Sequence, residues 1–221
     1  MEICFSLDTA CSISAYLNNM KEQVKLLIKK LHAKIHGVRF AIFAHGDYCS
    51  TPYITKHINF SENVDDLCEW LFMLKLTTGK DVDGCYELVL KEVQSLPWTP
   101  GSKRALVMIG NADPHESGYA YGKYTCNIDW RDETSKLMQM VCIRVKIRIQ
   151  SLGNWESECA RGIVFCPLTH PTFLANIWRK LFTFIMEAKC KFALTLLKMY
   201  KDMLCCQMSF DARHGNKRGF F

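Results

Sequence analysis

Short apolar runs alternate along this chain with longer segments in which apolar residues recur every three or four positions. Residues 3–5 form the first run, and a helical pattern over residues 12–35 follows it, with Gly37 at its end. The next run, residues 38–48, would place apolar side chains on both faces of a strand. Strands that are buried on both faces and separated by helices are typical of parallel sheets. The alternation therefore predicts an α/β fold in which helices cover both faces of a doubly wound sheet.

The same patterns predict a mostly parallel, six-stranded sheet. Residues 53–60 alternate apolar and polar side chains close behind the preceding strand, which predicts an antiparallel edge strand. Further strands are predicted at residues 103–111, 142–150 and 162–168, and further helices at 63–74, 83–96, 130–140, 171–189 and 193–203. We expect Ser12 or Ser14 to cap the first helix, because serine hydroxyls accept from the free N–H groups of a first turn.

The length and composition of the chain fit one domain with an appendage. Its 221 residues are 49% hydrophobic, which is enough to bury a full core. We predict a domain over residues 1–190, followed by a C-terminal helix and a disordered tail over residues 191–221.

Charge and cysteine usage exclude several classes of protein. The net charge is +6, but the basic residues are scattered and lack interleaved aromatic residues, so no nucleic-acid binding is expected. No apolar run reaches the ~18 residues of a membrane span, and no signal peptide is recognisable. The 12 cysteines include no CxxC pair, which favours buried free thiols. We therefore expect a cytoplasmic protein, and an extracellular one only if the chain is a fragment without its signal peptide.

Polar side chains collect where the predicted strands end. Asp8 follows the first strand, Asp47 lies in "HGDY" after the second, and Asn111 and Asp113 lie in "GNADPHE" after a later one. In open α/β sheets, ligands bind beyond the carboxyl ends of the strands, where the strand order reverses. These residues therefore predict a binding crevice at that edge.

Several motifs carry a family resemblance. They are, in chain order, "LDTACSIS", "VRFAIFAHGDYC", "TTGKDVDGCYELVL", "WTPGSKRALVMIGNADPHE" and "IDWRDETSKLMQM". Together they resemble a von Willebrand factor A (VWA) domain, most closely the intracellular type found alone or attached to alpha-type kinases. The resemblance covers residues 1–189 and weakens after Cys142. It implies a Rossmann-like sheet with one antiparallel edge strand and a metal-ion-dependent adhesion site, where Mg²⁺ or Mn²⁺ leaves one position for a partner's carboxylate.

The resemblance assigns the metal-site positions residue by residue. Asp8 matches the first aspartate of that site and Ser12 its last serine, while Thr77, with Thr78 as the alternative, matches the second-loop threonine. The third-loop aspartate is replaced by Asn111.

The matched set is incomplete as a metal site. The middle ligand, ordinarily serine or threonine, is Ala10, which has no side-chain oxygen, and Asn111 carries no charge. Three further acids are expected on loops at the same edge as auxiliary sources of charge: Asp47, Asp81 and Asp113. We therefore expect a degenerate site that binds Mg²⁺ or Mn²⁺ weakly at best.

Three functions remain open from the sequence. The leading hypothesis is a non-enzymatic module that binds a protein partner, through a carboxylate of that partner, at the carboxyl edge of the sheet. The second is a phosphoryl-transfer enzyme with Asp8 as nucleophile, although Ala10 stands where a second acid is usual. The third is an inactive structural fragment of a larger VWA-containing protein. Cys11 and His115 lie on neighbouring loops, but we interpret them as bystanders and not as a catalytic dyad.

Overall fold

The computed structural model describes residues 1–78, 83–122, 124–140 and 143–148. The chain divides into two compact units, Met1–Leu168 and Thr169–Phe221, and all of the described residues belong to the first. The predicted domain boundary at residue 190 lies outside the described residues, as do the predicted sixth strand at 162–168 and the predicted helices at 171–189 and 193–203.

Strands and helices alternate through most of the described chain. The strands are β1 (Glu2–Asp8), β2 (Arg39–His45), β3 (Thr55–Ser61), β4 (Arg104–Gly110), β5 (Ala120–Tyr121), β6 (Tyr124–Thr125) and β7 (Ile143–Arg148). The helices are α1 (Leu17–Lys34), α2 (Val64–Phe72), α3 (Tyr86–Val93) and α4 (Trp130–Met140). None of the helices in these ranges is both long enough and apolar enough to cross a bilayer.

In the described residues, the main sheet has five strands in the order β3-β2-β1-β4-β7. β1 pairs in parallel with β2 and with β4, and β7 pairs in parallel with β4. β3 runs antiparallel to β2 at the edge. The α/β class and the mixed sheet with an antiparallel edge strand are therefore as the sequence predicts. The strand order reverses on either side of β1, which makes the carboxyl end of β1 the expected ligand position.

Both faces of β1 are buried, which explains the apolar run at residues 3–5 and the apolar Leu7. Cys4 belongs to a core cluster on one face, whereas Ile3, Phe5 and Leu7 point to the other face and have no exposed area. The cluster around Cys4 draws on β2, β4, α3 and α4 and includes Ala41, Phe43, Tyr86, Val89, Val93, Leu106, Met108, Trp130 and Leu137. α3 and α4 therefore pack on this face of the sheet.

The predicted start of the first helix at Ser12 is wrong. A short 3-10 turn spans Cys11–Ile13, α1 begins only at Leu17, and neither start has a side-chain cap. The reason is a tertiary contact, because Ala10 forms an isolated bridge with Thr77 and keeps the chain extended after β1. Ser12 donates its hydroxyl hydrogen to Asn111 and does not cap a helix.

Candidate functional site

Asp8 lies at the carboxyl end of β1 and is only 1% exposed. Its Oδ1 accepts a hydrogen bond of 2.8 Å from the Ala10 N–H, and its Oδ2 accepts one of 2.6 Å from the Tyr86 hydroxyl. Both carboxylate oxygens therefore already have donors within the protein. A buried carboxylate needs such donors, because a charge without partners is costly to remove from water.

Tyr86, the first residue of α3, connects Asp8 to the segment that follows β4. The side chain is fully buried, and its hydroxyl also accepts a hydrogen bond of 3.4 Å from the Ala112 N–H. Burial and the neighbouring Asp8 carboxylate raise the pKa of Tyr86 well above its ordinary value, so the phenol stays protonated and donates. Sequence analysis missed this residue, since a tyrosine on the apolar side of "YELVL" is indistinguishable from a core residue.

The close approach of Tyr86 to Asp8 depends on Gly110 at the end of β4. A Cβ atom at this position would lie 1.8 Å from the Tyr86 Oη and 2.8 Å from the Asp8 Cβ. Only glycine leaves room for the hydroxyl between the two strand ends.

Thr77 lies beside the segment that follows β1. Its N–H donates to the Thr9 carbonyl at 2.7 Å, and its hydroxyl packs so tightly on Gly46 that a Cβ there would lie 2.3 Å from it. Within the described residues, the buried Thr77 hydroxyl has no hydrogen-bond partner. Its neighbour Thr78 is exposed and hydrogen-bonds Thr51, so Thr77 is the threonine that faces the strand ends.

Ser12 and Asn111 form the open rim of the site. The Ser12 hydroxyl donates to the Asn111 Oδ1 at 3.3 Å; Ser12 is exposed and Asn111 is half-buried. The structure thus brings Asp8, Ser12, Thr77 and Asn111 to one edge of the sheet, with a closed interior around Asp8 and an accessible rim above it.

These residues do not fit a tight divalent-cation site. Asp8 is the single carboxylate among the matched positions, and both of its oxygens accept protein hydrogen bonds. Thr77, Ser12 and Asn111 would add only neutral oxygens, and Mg²⁺ sites rely on carboxylates. In the part of the chain that is described, no group of three or more His, Cys, Asp or Glu side chains is arranged to hold a metal.

The proposed auxiliary acids have different environments. Asp81 lies outside the described residues. The main-chain carbonyl of Asp113 accepts a hydrogen bond of 3.0 Å from the Gly84 N–H. The Asp47 carboxylate accepts hydrogen bonds from the His115 Nε2 at 2.6 Å and from the Cys49 thiol at 3.1 Å, so it takes part in a separate buried pair.

The pair of Asp47 and His115 joins the loop after β2 to the loop after β4. Both side chains are at most 3% exposed. Burial opposes ionisation of Asp47, but the hydrogen bond from His115 lowers the pKa of its carboxyl below the ordinary value. Burial likewise opposes protonation of His115, whereas Asp47 raises the pKa of its imidazole. Each partner therefore favours the charged form of the other, against the effect of burial.

Glu87 lies against this pair on the first turn of α3. It accepts hydrogen bonds from the Tyr48 hydroxyl at 2.6 Å and from the His115 N–H at 3.0 Å. Burial raises the pKa of the Glu87 carboxyl despite these donors. The sequence placed Asp47 and His115 on loops at one edge, but nothing local indicates that they pair.

Comparison with solved structures shows the fold of the chain. No protein-family model matches it, and no curated protein sequence does. The crystal structure of the conserved hypothetical protein BatB from Bacteroides thetaiotaomicron matches 84% of this chain and 99% of its own, with 10% identity and a TM-score of 0.58. The type V pili tip protein Mfa5 from Porphyromonas gingivalis matches 50% of this chain and 19% of its own, with 16% identity and a TM-score of 0.40. The likeness to BatB is one of fold.

Proposed function

We propose that this chain is a non-enzymatic protein-interaction module of the VWA type, which binds a partner protein at the carboxyl edge of its sheet. The observation that carries the proposal is the meeting of Asp8, Ser12, Thr77 and Asn111 at that edge. They lie at the end of β1, the strand at which the strand order of the sheet reverses. A sixth strand from residues 162–168 would complete the doubly wound sheet of such a domain.

We expect the partner to contact the rim residues, because the interior of the site is closed. The Asn111 side-chain amide can donate hydrogen bonds to a carboxylate on the partner. The Ser12 hydroxyl, which donates to the Asn111 Oδ1 here, would have to turn from that oxygen to donate to the partner. Asp8 does not reach the rim; together with Tyr86 it fixes the segments that carry the rim residues.

The metal has a minor part in this proposal. A bound Mg²⁺ or Mn²⁺ would be held by Asp8, Ser12, Thr77 and Asn111. Its positive charge would attract a carboxylate of the partner. The hydrogen bond from Tyr86 competes for the carboxylate of Asp8, and Ala10 offers no oxygen. The proposed module therefore binds its partner with weak metal or none.

The contacts of Asp8 do not support the phosphoryl-transfer alternative. An attacking carboxylate needs an oxygen that reaches the substrate, whereas both oxygens of Asp8 accept hydrogen bonds from Ala10 and Tyr86 and Asp8 itself is 1% exposed. An inactive structural fragment remains the alternative to an interaction module, and we propose a cytoplasmic location for either.

Capture experiments distinguish the interaction module from an inactive fragment. The full chain is immobilised and exposed to an extract of the cells that make it, with and without EDTA, beside the variants Ser12→Glu and Ser95→Glu. Ser95 is exposed in the turn after α3, at the opposite edge, and is the matched control. We expect Ser12→Glu to lower partner retention at least about fivefold, because the new charge repels a carboxylate. EDTA should change retention less than about twofold, since metal binding is weak.

The opposite pattern would contradict the proposal. Retention of the same proteins by the natural chain and by Ser12→Glu would mean that the rim does not bind them. Loss of retention in EDTA would mean that metal is essential.

A further inference from the structure

Exposed apolar side chains collect at the C-terminal end of α2. Phe72 is 76% exposed, Met73 61% and Leu76 39%, whereas the neighbouring Leu71 and Leu74 are buried in the core. The buried residues already supply the packing of this helix, so the exposed ones contribute little to folding. Adjacent exposed apolar residues of this size are typical of a surface that contacts another molecule.

These side chains stand beside a groove between α1 and α2. The groove has a volume of about 370 Å³, with Asn18, Lys21, Glu22 and Lys25 of α1 on one wall and Cys68, Leu71 and Phe72 of α2 on the other. Lys21 fixes the two helices relative to each other, because its Nζ donates to the carbonyls of Phe72 and Leu74. The α2 wall of the groove is apolar, whereas its α1 wall is polar and includes the ion pair of Glu22 and Lys25.

Lysines surround this apolar surface. Lys56 lies over the rings of Tyr53 and Trp70, at 4.6 Å and 5.4 Å from their centroids. Burial and the nearby Lys56 lower the pKa of Lys21, and burial and the nearby Lys75 lower the pKa of Lys56. Within the described residues, no carboxylate forms an ion pair with Lys21, Lys56 or Lys75. The surface thus combines apolar anchoring positions with uncompensated positive charge.

We propose that the groove between α1 and α2 binds an acidic, apolar peptide segment of a partner protein. An apolar side chain of the peptide would enter the groove over Leu71 and Phe72, and carboxylates beside it would meet Lys56 and Lys75. This is the helix-groove type of recognition, in which apolar anchors give affinity and charges select the partner. The surface is separate from the rim of Ser12 and Asn111, so it does not depend on the function proposed there.

A peptide fits this surface better than an anionic membrane does. A groove is concave and accepts a single side chain, whereas a bilayer presents a broad surface to what binds it. The exposed acids Asp65, Asp66 and Glu69 on α2 and Glu22 on α1 would also repel anionic headgroups. Glu22 lines the groove but is paired with Lys25, and a short peptide can place its carboxylates at the end where Lys56 and Lys75 lie, away from the acids of α2.

Binding of model peptides to the full chain tests the proposal. The probes are a fluorescent amphipathic peptide of Glu and Leu, and a peptide of the same pattern in which Lys replaces Glu, followed by fluorescence anisotropy. We expect the Glu/Leu peptide to bind at least about tenfold more tightly, because opposite charges meet at the lysines. Lys56→Glu with Lys75→Glu should weaken its binding at least about fivefold. Met138→Ser, at another exposed apolar residue, should leave binding unchanged.

Thiol labelling shows where the peptide binds. Cys68 lines the groove and is half-buried, and Cys11 is an exposed thiol near Ser12. Bound Glu/Leu peptide should slow maleimide labelling of Cys68 and leave that of Cys11 unchanged, as read by mass spectrometry. Equal affinity for both peptides, or protection of Cys11 alone, would overturn the proposal. Binding to phosphatidylserine vesicles without binding to the Glu/Leu peptide would also overturn it, in favour of a membrane surface.

Discussion

Replacing Asp47 with alanine is expected to destabilise the fold by about 3–5 kcal/mol, the usual range when one partner of a buried ion pair is removed. Asp47 and His115 are at most 3% exposed and lie 2.6 Å apart, so the remaining imidazole would stay in the interior without its carboxylate. Urea unfolding of the full chain measures the change. Asp66→Ala, which removes an exposed acid from the first turn of α2, is the control and should change the stability by less than about 1 kcal/mol.

The difference in free energy of unfolding between the natural protein and Asp47→Ala should depend on pH. The lowered pKa of Asp47 means that its contribution is present above the unfolded value of 3.8 and is lost as pH falls through the folded value. The raised pKa of His115 means that its contribution is present below the unfolded value of 6.5 and is lost as pH rises through the folded value. The difference should therefore be largest between these two unfolded values and smaller in stronger acid or base. A difference as small as that of Asp66→Ala at every pH would contradict the pairing.

Replacing Gly110 with alanine is expected to destabilise the protein by about 2–4 kcal/mol, which combines overpacking with a weakened hydrogen bond to a buried charge. The new Cβ would lie 1.8 Å from the Tyr86 Oη, so the phenol must leave the position from which it donates to Asp8. The surrounding core offers little room, since Tyr86 is fully buried.

A double-mutant cycle separates this contact from a general effect of alanine in β4. In Tyr86→Phe the hydroxyl is absent, and the closest remaining contacts of the new Cβ are 2.8 Å to the Asp8 Cβ and 2.9 Å to the ring. The loss of stability caused by Gly110→Ala should then be smaller in the Tyr86→Phe background than in the natural protein. We expect the two losses to differ by at least about 1 kcal/mol. Equal losses in the two backgrounds would show that the hydroxyl does not determine the need for glycine.

Much of the sheet could be predicted because its signals are local. β2 and β4 contain continuous apolar runs, β1 is apolar at residues 3–5 and at Leu7, and β3 alternates because it lies at the edge. The meeting of Asp8 and Asn111 at one edge also followed from the sequence, since the carboxyl ends of parallel strands lie together. The helix predicted from residue 63 also begins there, since α2 starts at Val64 and the Asn63 side chain accepts hydrogen bonds from N–H groups of its first turn.

The rest depends on contacts between distant segments. The bridge between Ala10 and Thr77 delays the start of α1, although the local sequence favours an earlier helix. The contact of Tyr86 with Asp8 joins residues far apart in the chain, and a tyrosine on an apolar helix side gives no sign of it. Gly110 carries no turn signal either, because its role is to leave space and not to adopt an unusual backbone conformation.

The central claim, a binding edge with a degenerate metal site, is tested most directly by calorimetric titration of Mg²⁺ into the natural chain and into the double variant Ala10→Ser, Asn111→Asp. The variant regains a hydroxyl and a carboxylate at the positions where the resemblance expects them. We predict a dissociation constant of about 1 mM or weaker for the natural chain, and binding at least about tenfold tighter for the variant, because Mg²⁺ depends on charged oxygen ligands. Tight Mg²⁺ binding by the natural chain, or no gain in the variant, would contradict the claim.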